Sequence, residues 1–212
     1  MASALGEGSL SRVERKERTR RAILDTALDL SADTSLVAVS LRQVAKEVGI
    51  VPTAFYRHFA SIEALGLELV DESFVSLRAV LRDVRRPEPS LKQLIDASVD
   101  VLAEHVEVRR AHFGFIARER VAGPPAVREA VRHQIELVER ELATDIARIP
   151  GTEAWSSDDL RVLSKLMVTS MVATAEALIL AGRPEVTTDI KDQARTQLRM
   201  VLVGALNWKS QG

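Results

Sequence analysis

The sequence predicts an all-α protein. Apolar residues recur three and four positions apart along most of the chain, which is the period of an amphipathic helix. Sustained apolar–polar alternation and Asn-Gly or Asp-Gly hairpin turns are missing, so nothing signals a strand. Breakers gather between the periodic runs, as in Gly123-Pro124-Pro125 and Gly182-Arg183-Pro184. The first reads as a loop, and the second as a helix stop, with Gly past the end and Pro beyond it.

The elements follow in order. Ile23, Leu24, Ala27 and Leu28 make the first stripe. Ser40 and Gln43 read as an S-x-x-Q capping box that starts a helix at Leu41, with Leu41, Val44, Ala45 and Val48 facing inward. Gly49 stands where a helix end needs left-handed backbone, and Ile50 follows as a buried plug. Pro52 opens the next helix at a position where its missing N–H costs nothing. Leu65, Leu69, Ser73, Leu77, Leu81 and Val84 mark a long helix, ended by Arg85-Arg86-Pro87-Glu88-Pro89. Ser90-Leu91-Lys92-Gln93 reads as the capping box of the helix that carries Leu91, Leu94, Ile95, Leu102 and Val106. Val127, Val131, Ile135, Val138, Leu142 and Ile146 give another stripe, and residues 149–157 a loop. Leu160, Leu163, Met167, Met171, Ala175 and Leu178 form one more. Ile190, Ala194, Leu198, Val201, Leu202 and Ala205 close the chain. The pattern predicts about nine helices, three of them before residue 60. It divides into residues 1–60 and 61–212.

Composition narrows the function. The 212 residues carry 29 Lys plus Arg against 30 Asp plus Glu, a net charge of −1. Any contact with nucleic acid must therefore come from a local patch. The absence of Cys removes disulfides, Cys-ligated zinc, iron–sulfur clusters and thiol catalysis. None of His58, His105, His112 and His133 has metal-site spacing. His105 and His112 would share a face if one helix ran through both, and His133 lies one turn after Glu129. There is no G-x-S-x-G, phosphate loop or G-x-G-x-x-G. No catalytic residue, metal or cofactor is expected. The apolar run from Leu166 to Ala181 contains Thr169, Ser170, Thr174 and Glu176 and is shorter than the roughly 20 residues of a membrane span. A buried helix in a cytoplasmic protein without membrane contact is the expectation.

Helix, tight glycine turn, helix over residues 40–59 is the helix-turn-helix layout. On its second helix Phe55 and Phe59 point into the bundle. Thr53, Ala54 and Arg57 share another face, flanked by Tyr56 and His58. A small, polar, partly basic face suits a major groove. Ser40 and Arg42, at the start of the first helix, are placed for backbone phosphates. Upstream, residues 12–21 hold six basic and two acidic residues, and residues 1–60 are net +2. Helix–Gly turn–helix segments also occur in bundles that bind no DNA, and a basic run also serves as a solvated face. These residues alone leave both readings open.

Arg20-Arg21-Ala22-Ile23-Leu24-Asp25-Thr26-Ala27, Ser40-Leu41-Arg42-Gln43-Val44-Ala45, Gly49-Ile50 and Phe55-Tyr56-Arg57-His58-Phe59 resemble the TetR family of bacterial transcriptional regulators. The family often has Lys where this chain has Ile62, so one usual phosphate contact is missing. Val51 to Phe59, Glu63-Ala64-Leu65-Gly66-Leu67, Val70-Asp71-Glu72-Ser73 and Arg118-Glu119-Arg120 further resemble the branch that represses unsaturated fatty acid synthesis and acyl desaturase genes. The resemblance implies DNA contacts from Arg20, Ser40, Arg42, Thr53, Ala54, Tyr56, Arg57 and His58. It implies a homodimer that reads a palindromic double-stranded operator with recognition helices about 34 Å apart. It also implies an effector pocket among the C-terminal helices, with a long-chain acyl-CoA or similar amphipathic molecule as the small-molecule effector. Candidate lining residues are Leu102, Val106, Phe113, Phe115, Ile116, Val168, Met171, Ala175 and Leu178, with Arg118 and Arg120 at a polar mouth. Each apolar position suits core packing more readily than ligand contact, and each Arg also suits a salt bridge. An efflux-pump repressor, a helical lipid-binding protein with a vestigial helix-turn-helix, and a monomer that buries both final stripes are the other readings.

Overall fold

A computed structural model describes residues 11–85, 91–149, 151–152 and 155–209. The described residues form nine α-helices and one 3-10 turn. The helices are α1 (Arg12–Leu30), α2 (Leu41–Val48), α3 (Pro52–Phe55), α4 (Ile62–Arg85), α5 (Leu91–Val108), α6 (Arg110–Ala122), α7 (Pro125–Ile146), α8 (Ser157–Leu180) and α9 (Pro184–Leu206), with the turn at Leu36–Ala38. The expected breaker at 86–89 and the Ser90 cap lie outside the described residues.

Local chemistry explains the N-terminal helices. Ser11 and Glu14 cap α1 reciprocally: Ser11 Oγ accepts the Glu14 N–H, and the Glu14 carboxylate accepts the Ser11 N–H at 2.7 Å. This S-x-x-E box adds a helix start to those that the sequence pattern marks. Ser40 Oγ accepts the Gln43 N–H at 3.1 Å and starts α2. Gly49, at φ 75° and ψ 30°, ends it. The Ile50 N–H then reaches back to Ala45 O at 2.9 Å, the closure that only a left-handed residue permits cheaply.

One core runs through both halves of the chain. Ile23, Leu24, Leu36, Val44, Phe55 and Phe59 pack with Leu65 and Leu69 of α4, and the same cluster continues into Phe115 of α6 and Val127 and Val131 of α7. Full burial of a side chain such as Phe55 or Leu65 contributes about 1.5–3 kcal/mol. Two smaller clusters join α5 to α8 and α9, around Val99 with Leu198 and around Leu102 with Leu178. By length and composition α8 could cross a membrane. Here it packs between α7 and α9 and buries Leu163, Val168, Ala175 and Leu178.

The helix boundaries and ion pairs place the histidines. The chain breaks at Arg109, φ −116° and ψ 31°, between α5 and α6. His105 and His112 therefore sit on different helices. No Gly or Pro marks that break, so packing decides it. Glu129 pairs with Arg132, and His133 is exposed.

Candidate nucleic-acid interface and effector cavity

Phe55 and Phe59 are buried with ring centroids 5.8 Å apart, and they anchor the recognition segment. After Phe55 the helix tightens: the His58 N–H donates to Phe55 O at 2.8 Å. Thr53, Tyr56 and Arg57 are left exposed, and Ala54 and His58 half-buried. Ser40 and Arg42 are exposed at the N-terminus of α2. Arg20 lies against the end of this segment. Its guanidinium sits 4.4 Å from the Phe59 ring centroid, donates to His58 O at 2.9 Å and pairs with Glu68 of α4. It clamps the end of the recognition segment to α1 and α4. Lys16, one turn before Arg20 on α1, adds a cation beside the segment that sequence spacing does not single out. Burial lowers the His58 pKa, and the charges of Lys16, Arg20 and Arg57 lower it further against the opposing Glu17.

The C-terminal helices enclose a cavity of about 190 Å³. Phe74, Leu77 and Leu81 come from α4, Ile95, Ser98 and Leu102 from α5, and Phe113, Ile116, Ala117 and Arg120 from α6. Ile135, Val138, Leu142 and Ile146 come from α7, Met167, Val168, Met171 and Ala175 from α8, and Leu198, Leu202 and Leu206 from α9. Thr152 and Trp155 close the end near the α7–α8 loop. Arg120 and Glu176 are the charged residues of the described wall, and they pair with each other across α6 and α8.

Residues 23–69 match the tetR family of bacterial regulatory proteins. The chain shares that family's segment from α1 into α4. Its fold is that of solved regulators along nearly the whole chain. A transcriptional regulator from Rhodococcus sp. Rha1 is similar at TM-score 0.69 and 21% identity, over 90% of this chain and 99% of that one. The TetR family regulator PfmR from Thermus thermophilus has TM-score 0.63 at 18% identity, over 96% and 100%. The fatty acid degradation regulator FadR from Bacillus halodurans has TM-score 0.70 at 12% identity, over 88% and 95%. These likenesses are of fold. They show the all-helical TetR fold, with an N-terminal helix-turn-helix and a helical C-terminal part.

The sequence-predicted pocket residues separate. Leu102, Phe113, Ile116, Arg120, Val168, Met171 and Ala175 line the cavity. Phe115 faces the core shared with α7, and Val106 and Leu178 pack in the α5–α8 cluster. Arg118 turns the other way and donates to Ser31 O and Ala32 O at the end of α1. Helix residues two apart point roughly 200° apart, so Arg118 and Arg120 cannot share a mouth. Between them Glu119 is fully buried and accepts the Leu36 N–H at 2.9 Å and the Ser35 hydroxyl at 3.2 Å. Three consecutive α6 residues thus hold the end of α1, the 3-10 turn and the cavity wall. Gly123 allows this: a Cβ there would lie 2.7 Å from Glu119 O. Sequence reasoning missed Glu119 and Glu176, because no local spacing marks a partner that lies far along the chain.

Proposed function

We propose that the protein is a homodimeric repressor of fatty acid and lipid metabolism genes whose operator affinity is set by a long-chain acyl thioester in the C-terminal cavity. The observation that carries this reading is an almost wholly apolar cavity with one ion pair on its wall, built partly on the helix that grips the DNA-binding domain. An acyl chain gains by leaving water there, about 25 cal/mol per Å² of apolar surface. Its anionic carrier suits Arg120. FadR, which regulates fatty acid degradation, shares the fold at 12% identity. That agreement supports the reading without carrying it.

A second copy of the chain suits the outer face of α8 and α9. Trp208 Nε1 donates to Asp159 Oδ1 at 3.0 Å, which holds the end of α9 beside the start of α8. Val162 and Leu166 of α8 and Met200, Val203 and Leu206 of α9 are exposed there. A row of large apolar side chains on a regulator marks an interface, and a two-fold dimer matches a palindromic operator. Such a protein acts in the bacterial cytoplasm, needs no cofactor, and makes no use of a membrane.

Glu176 and the rings of Phe74, Phe113 and Trp155 in the same wall favour a second reading: an efflux-pump repressor released by a drug-like amphipathic ligand. Fluorescence anisotropy on DNA from upstream of the gene, titrated with saturated and unsaturated long-chain acyl-CoA, tests the choice. A chain-dependent change in affinity supports the lipid reading and gives its sign. Salt-sensitive specific binding that ignores every acyl-CoA transfers the proposal to the efflux ligand.

A further inference from the structure

We propose that Glu176 is the resident counter-ion of the effector's head-group subsite. The effector is then a single-chain amphiphile with an anionic head, which binds Arg120 by displacing Glu176. The inference rests on the cavity being the effector site.

The wall offers one place for a charge. Its described residues are apolar apart from Ser98, Thr152, the indole N–H of Trp155 and the Arg120–Glu176 pair. The two charged side chains are each 37% exposed, so the pair lies at the opening and not in the depth of the cavity. An ion pair in contact with water is held weakly and exchanges partners readily. A carboxylate or phosphate presents to the planar Arg120 guanidinium the same oxygen geometry that Glu176 presents. Such a head replaces like with like, and the released Glu176 carboxylate returns to water. A quaternary ammonium head carries no N–H donor, so it would give Glu176 less than the Arg120 guanidinium already gives it. A neutral head would leave the pair closed. Glu176 therefore acts as a specificity determinant by competing for the group that recognises the ligand.

Exchange also cuts a link between helices. The pair ties α6 to α8. The two α6 residues before Arg120 hold Ser31, Ala32 and Leu36 of the DNA-binding domain. Replacing Glu176 removes the tie next to that grip, while Arg110 at the start of α6 keeps its hydrogen bonds to Ile179 O and Ala181 O.

The test is isothermal titration calorimetry on the full chain with decanoate, decanol and decyltrimethylammonium, each below its micellar concentration. In the wild type decanoate should bind about tenfold more tightly than decanol, and the cation weakest. Glu176→Gln should tighten decanoate by roughly threefold to tenfold, and Arg120→Gln should weaken it about tenfold. Decanol should stay within roughly twofold in both variants, which also reports that they fold. If Glu176→Gln moves all three probes alike, or if the wild type prefers the cation, the proposal is overturned while the cavity remains the effector site. If none of the probes binds the wild type, the cavity reading fails and takes the proposal with it.

Discussion

Glu119 Oε1 accepts the Leu36 N–H at 2.9 Å, so a fully buried carboxylate on a cavity-lining helix holds the backbone of the 3-10 turn between α1 and α2. Glu119→Ala leaves that N–H buried without an acceptor, a cost of about 1–3 kcal/mol. For a chain of this length each kcal/mol lowers the melting temperature by about 2–4 °C. Glu119→Gln keeps one acceptor oxygen and should fall between the two. Thermal unfolding followed by circular dichroism measures the series. An Ala variant that melts with the wild type would show that the bond contributes nothing.

Gly66 seats α4 against the same turn. A Cβ there would run into Leu36 Cδ2 and lie 3.1 Å from Val127 Cγ2. Leu36 is 1% exposed and Val127 0%, so neither has space to retreat. Overpacking costs about 1–3 kcal/mol, and the better helix propensity of Ala returns about 1 kcal/mol at most. Gly66→Ala should therefore lower the urea midpoint despite being a helix-favouring change. An unchanged or raised midpoint would mean that the contact relaxes freely.

What the sequence made legible is what depends on near neighbours. Ser40 as a cap, Gly49 as a left-handed stop and Pro52 as a first helical residue each act within a few positions, so each was readable. Phe55 and Phe59 share a face by helical spacing alone. On α6 periodicity could mark Phe113, Phe115 and Ile116 as apolar but not assign them to two different surfaces. That assignment depends on where α4, α7 and α8 lie. Arg118 and Ser31 are 87 residues apart in the chain, and nothing in either neighbourhood announces their hydrogen bond. Arg20 reads as one more cation in a basic run, and only the fold shows its guanidinium against Phe59 and Glu68.

That placement separates two arginines experimentally. Arg42 is exposed at the start of α2. If it neutralises one phosphate, Arg42→Ala should weaken binding to all DNA sequences and reduce the salt slope by about 1. Arg20 spends its donors on His58 O and Glu68. Arg20→Ala should lower melting temperature and operator affinity together while the slope stays at the wild-type value. Anisotropy titrations over a salt series read both. An equal slope change in the two variants would make Arg20 a phosphate ligand after all.

Three histidines set a stability window near neutral pH. His58, His105 and His112 all have pKa values below the ordinary 6.5, with burial the first cause in each. At His112 the charges of Arg109 and Arg21 lower it further, against Glu72 and Asp25. At His105 Arg109 lowers it further, against Glu104. A pKa depressed in the folded state means that the unfolded chain binds more protons just below 6.5. Stability is then complete above that value, falls as pH drops towards the depressed native values, and levels off beneath them. Glu14 and Asp100 act in the same direction but in a separate, more acid window. Hydrogen bonds with Ser11 lower Glu14 from 4.5. Burial would raise Asp100 from 3.8, but Lys191 and Arg195 outweigh it. Their contribution is present above those values and is lost as pH falls further, so it does not change between neutral pH and the histidine window. Urea unfolding at about pH 7.5 and about pH 5.5 should show the wild type weaker at the lower pH, with His112→Gln losing less between the two. A wild-type stability that does not change across that interval, or a variant with the full loss, would mean that these imidazoles accept protons as easily in the folded protein as in the unfolded chain.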